Sequence, residues 1–428
     1  MAFALRRRFR VARFLLLAVA IYLSLDLLLR AQWTPPKLQT TVSASDLKEI
    51  RSVYIASTQW NSGNLLQDHW IPSLLQTVKD LKAANIEVFI SIYENGSWDS
   101  TKSTLDQLRQ TLGTLGVANR ITLDDKSHEY IIALNESNSG WLRTAYGTEM
   151  RRIPYLANVR NEALKPLHEM TTAGERFDKL IFVNDVIFSP EDIWTLLNTH
   201  DGKYAAACAL DFLNPPWNHV DAKVRGHHPP GLYDDFATRD SDGNILGSHL
   251  YPYFSSVLSR RALISGHDVP VQSCWNGIVA FDASPFQRPS NPLRFRGIPD
   301  SLAQYHVEAS ECCLIHYDNS LSVANGVYIN PAVRVAYSAP AYAAIASTSS
   351  NEAVKGCWPT RSELLWGYWK SRWLWWARWP ASAIKVWWRI RRWRSRYSDI
   401  DEPGLSCASD LAMVLKSNGW AMRGGRFE

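Results

Sequence analysis

An α/β fold, a mainly parallel sheet flanked by helices and preceded by one N-terminal transmembrane helix, is what this 428-residue sequence predicts. Three observations carry the prediction. From residue 52 onward, apolar runs of strand length alternate with segments of helical periodicity, the pattern of a parallel sheet covered on both faces. The stretch KLIFVNDVIFSPEDIWTLL (179–197) holds one such unit, a buried strand running straight into a helix. Composition is that of a globular chain, 46% apolar and 20% charged, with length for one large domain or two smaller ones.

The front end is basic: Arg6, Arg7, Arg8, Arg10 and Arg13 precede FLLLAVAIYLSLDLLL (14–29). Sixteen helical residues span about 24 Å, slightly short of a bilayer core. Val11, Ala12 and Ala31 extend the span, and Arg13 and Arg30 snorkel. Asp26 sits near the far end, where a charge costs least. Residues 1–13 therefore read as a cytosolic tail, 14–30 as a signal anchor and 31–48 as a polar stem, with the remainder luminal by the positive-inside rule. A cleaved signal peptide is the rival, without a clear cleavage site. Two sequons, Asn95-Gly96-Ser97 and Asn135-Glu136-Ser137, agree with a luminal body. Six cysteines, Cys208, Cys274, Cys312, Cys313, Cys357 and Cys407, would meet an oxidising compartment. Their spacing does not suggest zinc, the sequence does not choose their pairing, and Cys208 and Cys274 also suit buried free thiols.

Residues 49–345 form the expected catalytic domain. SVYIAS (52–57) reads as a strand and 68–85 as a helix with Trp70, Leu74, Leu75, Val78 and Leu81 on one face. IEVFISIY (86–93) is the next strand, followed by a helix over 100–115, a short strand over 120–125 and a helix within 151–170 from about Tyr155. After KLIFVND, Ser189 is a natural N-cap, Pro190 suits the first helical position and Asp192 completes a capping box. KYAAACALDF (203–212) is a strand ending in Asp211; 214–244 reads as a long loop, and strand character returns at 273–286 and 325–338.

Residues 346–428 are an extension of a different kind. From Trp358 to Trp393 stand ten of the chain's nineteen tryptophans, interleaved with Arg and Lys. Residues 361–398 carry a net +9 and the front end +5, so the rest carries −9 of the total of +5. The body is acidic, and no nucleic-acid partner is expected. No apolar span in the tail is long enough to cross a bilayer. Indole and basic side chains favour the headgroup layer, so the tail reads either as a helix on the membrane surface or as one packed on the body.

Four stretches offer chemistry. Asp185 closes a strand, and ligands of open parallel sheets bind beyond the strands' carboxyl ends. One carboxylate suffices for a hard divalent cation when a diphosphate supplies other oxygens; an Asp capping the next turn is the plain alternative. EASECCLIHYD (308–318) offers Glu308, Glu311, His316 and Asp318, suited to acid/base work or a second metal contact, against simple packing. Arg152 and Arg160 lie two helical turns apart on one face and suit a bidentate grip on phosphate, against solvated surface. Trp275-Asn276-Gly277 marks a turn whose glycine permits close backbone approach to a ligand, against a plain hairpin. No Walker loop, GxGxxG, GxSxG, HExxH or EF-hand pattern occurs.

Taken in order, RIPYLANVRNEALKPL, KLIFVNDVIFSPEDIWTLL, AAACALDF, LYDDFATRDSDG, VQSCWNGIVAFDASPF, SECCLIHYD and VYINPAVRVAY resemble the fungal cryptococcal-type α-1,3-mannosyltransferase and capsule-associated family, glycosyltransferase family 69, from about Val53 to Tyr337. The resemblance implies a GT-A-like (Rossmann-like) domain in a type II Golgi membrane enzyme. It implies transfer of mannose from GDP-mannose, with Mn²⁺ or Mg²⁺, to a mannose-containing glycan acceptor through a retained α-1,3 link. By position, Asp185 takes the place of a metal-binding DxD carboxylate, although Asn184-Asp185-Val186 keeps only one acid, and His316 that of a second metal contact. Asn184, Arg160 and Gly277 would join Asp185 at the donor. Glu311 and Asp211 would be catalytic, and Trp275, Asn276 and Asp240 would face the acceptor. The alternatives are a silent accessory subunit of other Golgi transferases and a transferase for another sugar nucleotide.

Overall fold

A computed structural model of the chain describes residues 50–134, 139–144, 147–213, 231–345, 364–370 and 379–423, with isolated positions between 13 and 24. Apart from those positions, the expected anchor 14–30 and stem 31–48 lie outside the described residues, as do Asn135 and Cys357. Among the described residues no helix is long and apolar enough to cross a membrane.

The chain opens with β1 (Ser52–Gln59), α1 (Ile71–Ala83), β2 (Glu87–Asn95), α2 (Thr101–Thr114) and β3 (Ala118–Asp124). Next come α3 (His128–Leu134) and the hairpin β4 (Trp141–Thr144) and β5 (Gly147–Met150). They lead to α4 (Arg152–Thr172), β6 (Lys179–Val183), α5 (Pro190–Leu197) and β7 (Ala206–Leu213). The expected helix within 151–170 thus begins at Arg152, three residues before Tyr155. The expected capping box is present: Ser189 Oγ accepts from Asp192 N at 3.3 Å and Asp192 Oδ2 from Ser189 N at 2.7 Å.

The second half adds β8 (Gly231–Leu232), β9 (Arg239–Asp240), α6 (Val257–Ser265), β10 (Val269–Ser273) and β11 (Ile278–Asp282). β12 (Glu308–Ala309), α7 (Glu311–Asp318) and β13 (Val327–Ala336) follow. One sheet runs β3-β2-β1-β6-β11-β7-β13-β10-β9, with β8 on β7. The first four strands are mutually parallel, and β13 is parallel to β7. β11 is inserted antiparallel between β6 and β7, and β10 runs antiparallel to β13 and β9. The parallel expectation therefore holds for the first half, while the second half is mixed. Residue alternation sends Tyr54 and Ala56 to the face covered by α4, and Val53 and Ile55 to the face covered by α1 and α5.

The tail folds onto this body through α8 (Trp379–Arg394), β14 (Ala408–Ser409) and the hairpin β15 (Met413–Lys416) and β16 (Gly419–Met422). Val386 and Trp393 of α8 are buried with Leu302, Leu314 and Cys407, whereas Trp387 and Trp388 are more than half exposed. β14 pairs with β12, and a disulfide joins Cys407 to Cys313. Arg296 binds both Asp318 and the tail's Glu402 at 2.6 and 2.7 Å. Cys208 and Cys274 are also disulfide-bonded rather than free; Cys312 is the free, buried thiol among the described residues. Asn95 is buried, and its Nδ2 donates to the Tyr155 hydroxyl at 3.3 Å, so this sequon is closed to glycosylation in the folded protein.

Candidate active site

β6 delivers Asn184 and Asp185 to the carboxyl edge of the sheet, and Asn184 fixes how they lie. Its N–H donates to the Gly277 carbonyl at 2.9 Å. Its carbonyl accepts from Trp70 Nε1 at 2.9 Å, and its Oδ1 from Trp275 Nε1 at 3.1 Å. Every polar group of Asn184 named here is thus committed to the protein. Asp185, by contrast, is half-buried and no side chain among the described residues hydrogen-bonds its carboxylate. Burial raises its pKa to about 6, against the pull of its own backbone N–H and of Arg160.

A second carboxylate stands at the end of β7. Asp211 is fully buried; its Oδ1 accepts from Asn276 Nδ2 and from Asp234 N, each at 3.2 Å, and its Oδ2 from the Tyr337 hydroxyl at 3.1 Å. Burial raises its pKa, and the neighbouring Asp234 raises it further. Asp234, half-buried, is held by the N–H groups of Phe236 and Ala237. Tyr337 packs edge-on against Tyr233 at 5.0 Å, and its phenol is held protonated by burial and by Asp211, Asp185 and Asp234 around it. Asp234, Tyr233 and Tyr337 were not singled out from sequence, although the doubled acid of LYDDF was a signal for the first.

Near Asp185 lies a buried ion pair. Arg160 Nη1 meets Glu311 Oε1 at 2.7 Å, with both side chains less than a tenth exposed. The Arg160 guanidinium lies 4.8 Å from the centre of the Trp275 ring. Ser310 N-caps α7 by accepting from Cys312 N at 3.2 Å, which sets Glu311 on the first turn facing Arg160. Glu311 is therefore neutralised by a guanidinium rather than presented freely. Trp275 and Asn276, expected at the acceptor, are buried, and their polar atoms hold Asn184 and Asp211. Gly277 (φ +80°) is where the chain passes close to other strands: a Cβ there would meet Val335 Cγ2 at 2.8 Å and Val186 Cγ1 at 3.0 Å.

Asn184, Asp185, Arg160, Asp211, Trp275, Asn276, Gly277 and Glu311 are thus brought together, and two expected residues are not. His316 is a core histidine: Nε2 donates to the Cys274 carbonyl at 2.7 Å, the ring stacks on Phe281, and burial lowers its pKa to about 4. Its ligand-forming neighbours are Cys208 and Cys274, whose sulfurs are spent in a disulfide. Asp240 is buried within its own loop, where Oδ1 accepts from Asp242 N and Asn244 N and Oδ2 from Ser256 N. Its carboxylate is consumed by backbone rather than by an acceptor. A separate hollow of about 1030 Å³ opens where Lys179 begins β6, between Lys179, Tyr204, Asp282 and Tyr328. Lys179 is already bonded to the Gly202 carbonyl and lies over the Tyr204 ring.

Asp185 can serve as the protein's ligand to a divalent cation whose other ligands are diphosphate oxygens and water, which suits Mn²⁺ or Mg²⁺. No cluster of three protein ligands exists there among the described residues.

Solved structures similar to this chain are distant. A mannosyltransferase from Pyrobaculum calidifontis, PcManGT, in complex with GDP-Man and Mn²⁺, is 12% identical with a TM-score of 0.34, over 74% of this chain and 67% of that one. GalNAc-T7 with UDP, GalNAc and Mn²⁺ is 12% identical with a TM-score of 0.36, over 67% of this chain and only 43% of that one. The mannosyltransferase Ktr4p of S. cerevisiae is 11% identical with a TM-score of 0.24, over 64% and 68%. No curated protein matches the sequence. The family model described as cryptococcal mannosyltransferase 1 matches residues 52–318, well over half of the 428, and takes in β1 to α7 and every site residue named above except Tyr337. The chain therefore belongs to the cryptococcal mannosyltransferase family and is a glycosyltransferase.

Proposed function

We propose that this chain transfers mannose from GDP-mannose to a mannose-containing glycan with retention, forming an α-1,3 link, with Mn²⁺ or Mg²⁺ and in a GT-A-like domain facing the Golgi lumen. The observation that carries the proposal is the uncommitted carboxylate of Asp185 at the strand ends, with the carboxylates of Asp211 and Asp234 nearby. An acidic site repels a diphosphate on its own, and a divalent ion held by Asp185 would reverse that balance. When bound, the ion supplies electrostatic stabilisation of the departing nucleoside diphosphate. The chain's own residues do the rest. Asn184 fixes the Asp185 turn, and the Arg160–Glu311 pair with Trp275 forms a rigid support near it. Tyr337 and Asn276 hold the buried Asp211 carboxylate in place, and Asp211 in turn fixes Asn276 beside Gly277. The exposed indoles of Trp387 and Trp388, with Arg391 over both rings, suit contact of the tail with the lipid headgroup layer.

The test is transfer by the purified full-length chain from GDP-mannose to a mannobioside, with and without chelator, beside a panel of UDP-sugars. Transfer from GDP-mannose that stops on chelation and in Asp185→Asn, with no fall in melting temperature, is expected. A wild-type rate in Asp185→Asn removes that residue from the metal role. Transfer from a UDP-sugar alone overturns the donor assignment.

A further inference from the structure

Beyond the acidic site, the edge formed by β1 and β2 carries polar groups that the fold leaves unused. Trp60 follows β1 directly and stacks on His128 at 4.5 Å; Asn95 ends β2 and touches Tyr155. His128 and Asn95 are more than nine-tenths buried. Yet Trp60 Nε1, Asn95 Oδ1 and one ring nitrogen of His128 lack a hydrogen-bond partner, the other His128 nitrogen being turned to the Lys416 backbone. Buried polar atoms without partners are costly, and their clustering at a strand edge points to a ligand that completes them.

The tail reaches this same edge. β15–β16 places Trp420 5.5 Å from His128 and 5.8 Å from Tyr155, ring centre to ring centre. Gly419 sits so close to Trp60 that a Cβ would touch its ring at 3.8 Å. Trp60 and Trp420 both remain partly exposed. Arg152, the first residue of α4, lies with its guanidinium 5.4 Å from the Trp420 ring centre and has an unpartnered Nε. Its chain neighbour Arg151 is bound to Asp300 and Glu308, and Arg160 to Glu311; Arg152 makes no carboxylate pair among the described residues. β6, β1 and β2 are adjacent parallel strands, so Asp185, Trp60 and Asn95, which follow or end them, share one carboxyl edge of the sheet.

We infer that the C-terminal hairpin is part of the donor site: Trp420 and Trp60 seat the base of a nucleoside diphosphate, and Arg152 holds its diphosphate between them and Asp185. The inference rests on the glycosyl-donor reading above and deepens it. It assigns a binding role to residues 413–422, which lie outside the family-matched segment. It also moves the phosphate grip from Arg160, whose charge is spent on Glu311, to Arg152. Indole faces stack on bases, and a guanidinium suits the bidentate geometry of phosphate oxygens.

Calorimetric titration of the full-length chain with GDP, and with guanosine by competition, separates the parts. Trp420→Ala should weaken GDP and guanosine alike, by roughly ten-fold, and Trp420→Phe should recover most of the loss. Arg152→Gln should weaken GDP by roughly ten- to a hundred-fold and leave guanosine unchanged. Wild-type affinity in a folded Trp420→Ala overturns the hairpin's role while leaving the transferase reading intact. If the wild-type chain binds no nucleoside diphosphate, the donor reading itself falls. Should Trp420→Ala not fold, photolabelling of the wild-type chain with 8-azidoguanosine diphosphate decides: label within 413–422 supports the assignment, and label confined to other segments overturns it.

Discussion

Gly277→Ala distinguishes two reasons for a glycine beside the candidate active site. If the glycine exists to let a ligand approach the backbone, a methyl group lowers donor affinity and leaves the fold untouched. The geometry gives the other reason. At φ +80° an L-residue is strained, and the added Cβ would lie 2.8 Å from Val335 Cγ2, 3.0 Å from Val186 Cγ1 and 3.4 Å from Asp211 Cβ. Left-handed strain costs roughly 1–3 kcal/mol, and overpacking a close-packed core costs roughly another 1–3. Val186 and Val335 are both branched and fully buried, so neither can swing aside. The sum is roughly 2–6 kcal/mol. For an ordered body of roughly 300 residues, at about 2.1 cal/mol/K each, that lowers the melting temperature by roughly 3–10 °C. Because Val186 follows Asp185, the displacement should also weaken donor binding. Thermal unfolding followed by circular dichroism and titration with GDP in the presence of Mn²⁺ read the two effects side by side. An unchanged melting temperature refutes the packing argument, whatever happens to affinity.

Asp185→Asn separates the chemistry from the fold. The folded pKa of about 6 lies above the ordinary value of 3.8, so the buried charge destabilises the protein above pH 6 and the penalty is relieved as pH falls toward 4. The variant should therefore melt higher than wild type at pH 7.5 and equally at pH 4; in wild type, metal-dependent donor binding should decline as pH falls through about 6. Glu311→Ala leaves Arg160 buried and unpaired and should lose roughly 3–5 kcal/mol in denaturant titration, much of it recovered in the Arg160→Leu/Glu311→Leu double variant. Replacing Cys313 and Cys407 by Ser opens a bridge spanning 94 residues, worth roughly 4–5 kcal/mol by loop entropy; limited proteolysis should then cut the tail before the body.

What was legible in the sequence was local. Strand β6, the Ser189–Asp192 capping box and the helix after it are set by contacts within a few residues, and each appears where the pattern placed it. Asp185 at a strand's end followed from the same local logic. What was not legible depends on distant partners. The antiparallel insertion of β11 between β6 and β7 has no periodic signature, because a fully buried strand reads the same in either direction. His316 looked like a ligand because its sequence neighbours are acids and cysteines; its spatial neighbours are the Cys274 carbonyl and Phe281. Asp240 looked free because the backbone N–H groups that consume it lie in a turn that composition alone does not specify.

The tail carries this reasoning furthest. Its tryptophans and arginines suited either a membrane-surface helix or one packed on the body; Trp387 and Trp388 are exposed, whereas Trp393 on the same helix is wholly buried and donates Nε1 to Ser301 Oγ at 3.1 Å. Arg239, also buried, has backbone partners in the tail: the carbonyls of Ser406 and Cys407 accept from its Nε and Nη2 at 2.9 Å each. Arg296 is shared between Asp318 of the body and Glu402 of the tail. A chain cut at residue 345 would leave Arg239 without those carbonyls, Arg296 with one carboxylate instead of two, and an apolar hollow where Trp393 had been. Buried cations that lose acceptors are among the most costly defects a fold can carry. The extent of the family match at 318 therefore marks where sequence likeness stops, not where the cooperative unit stops.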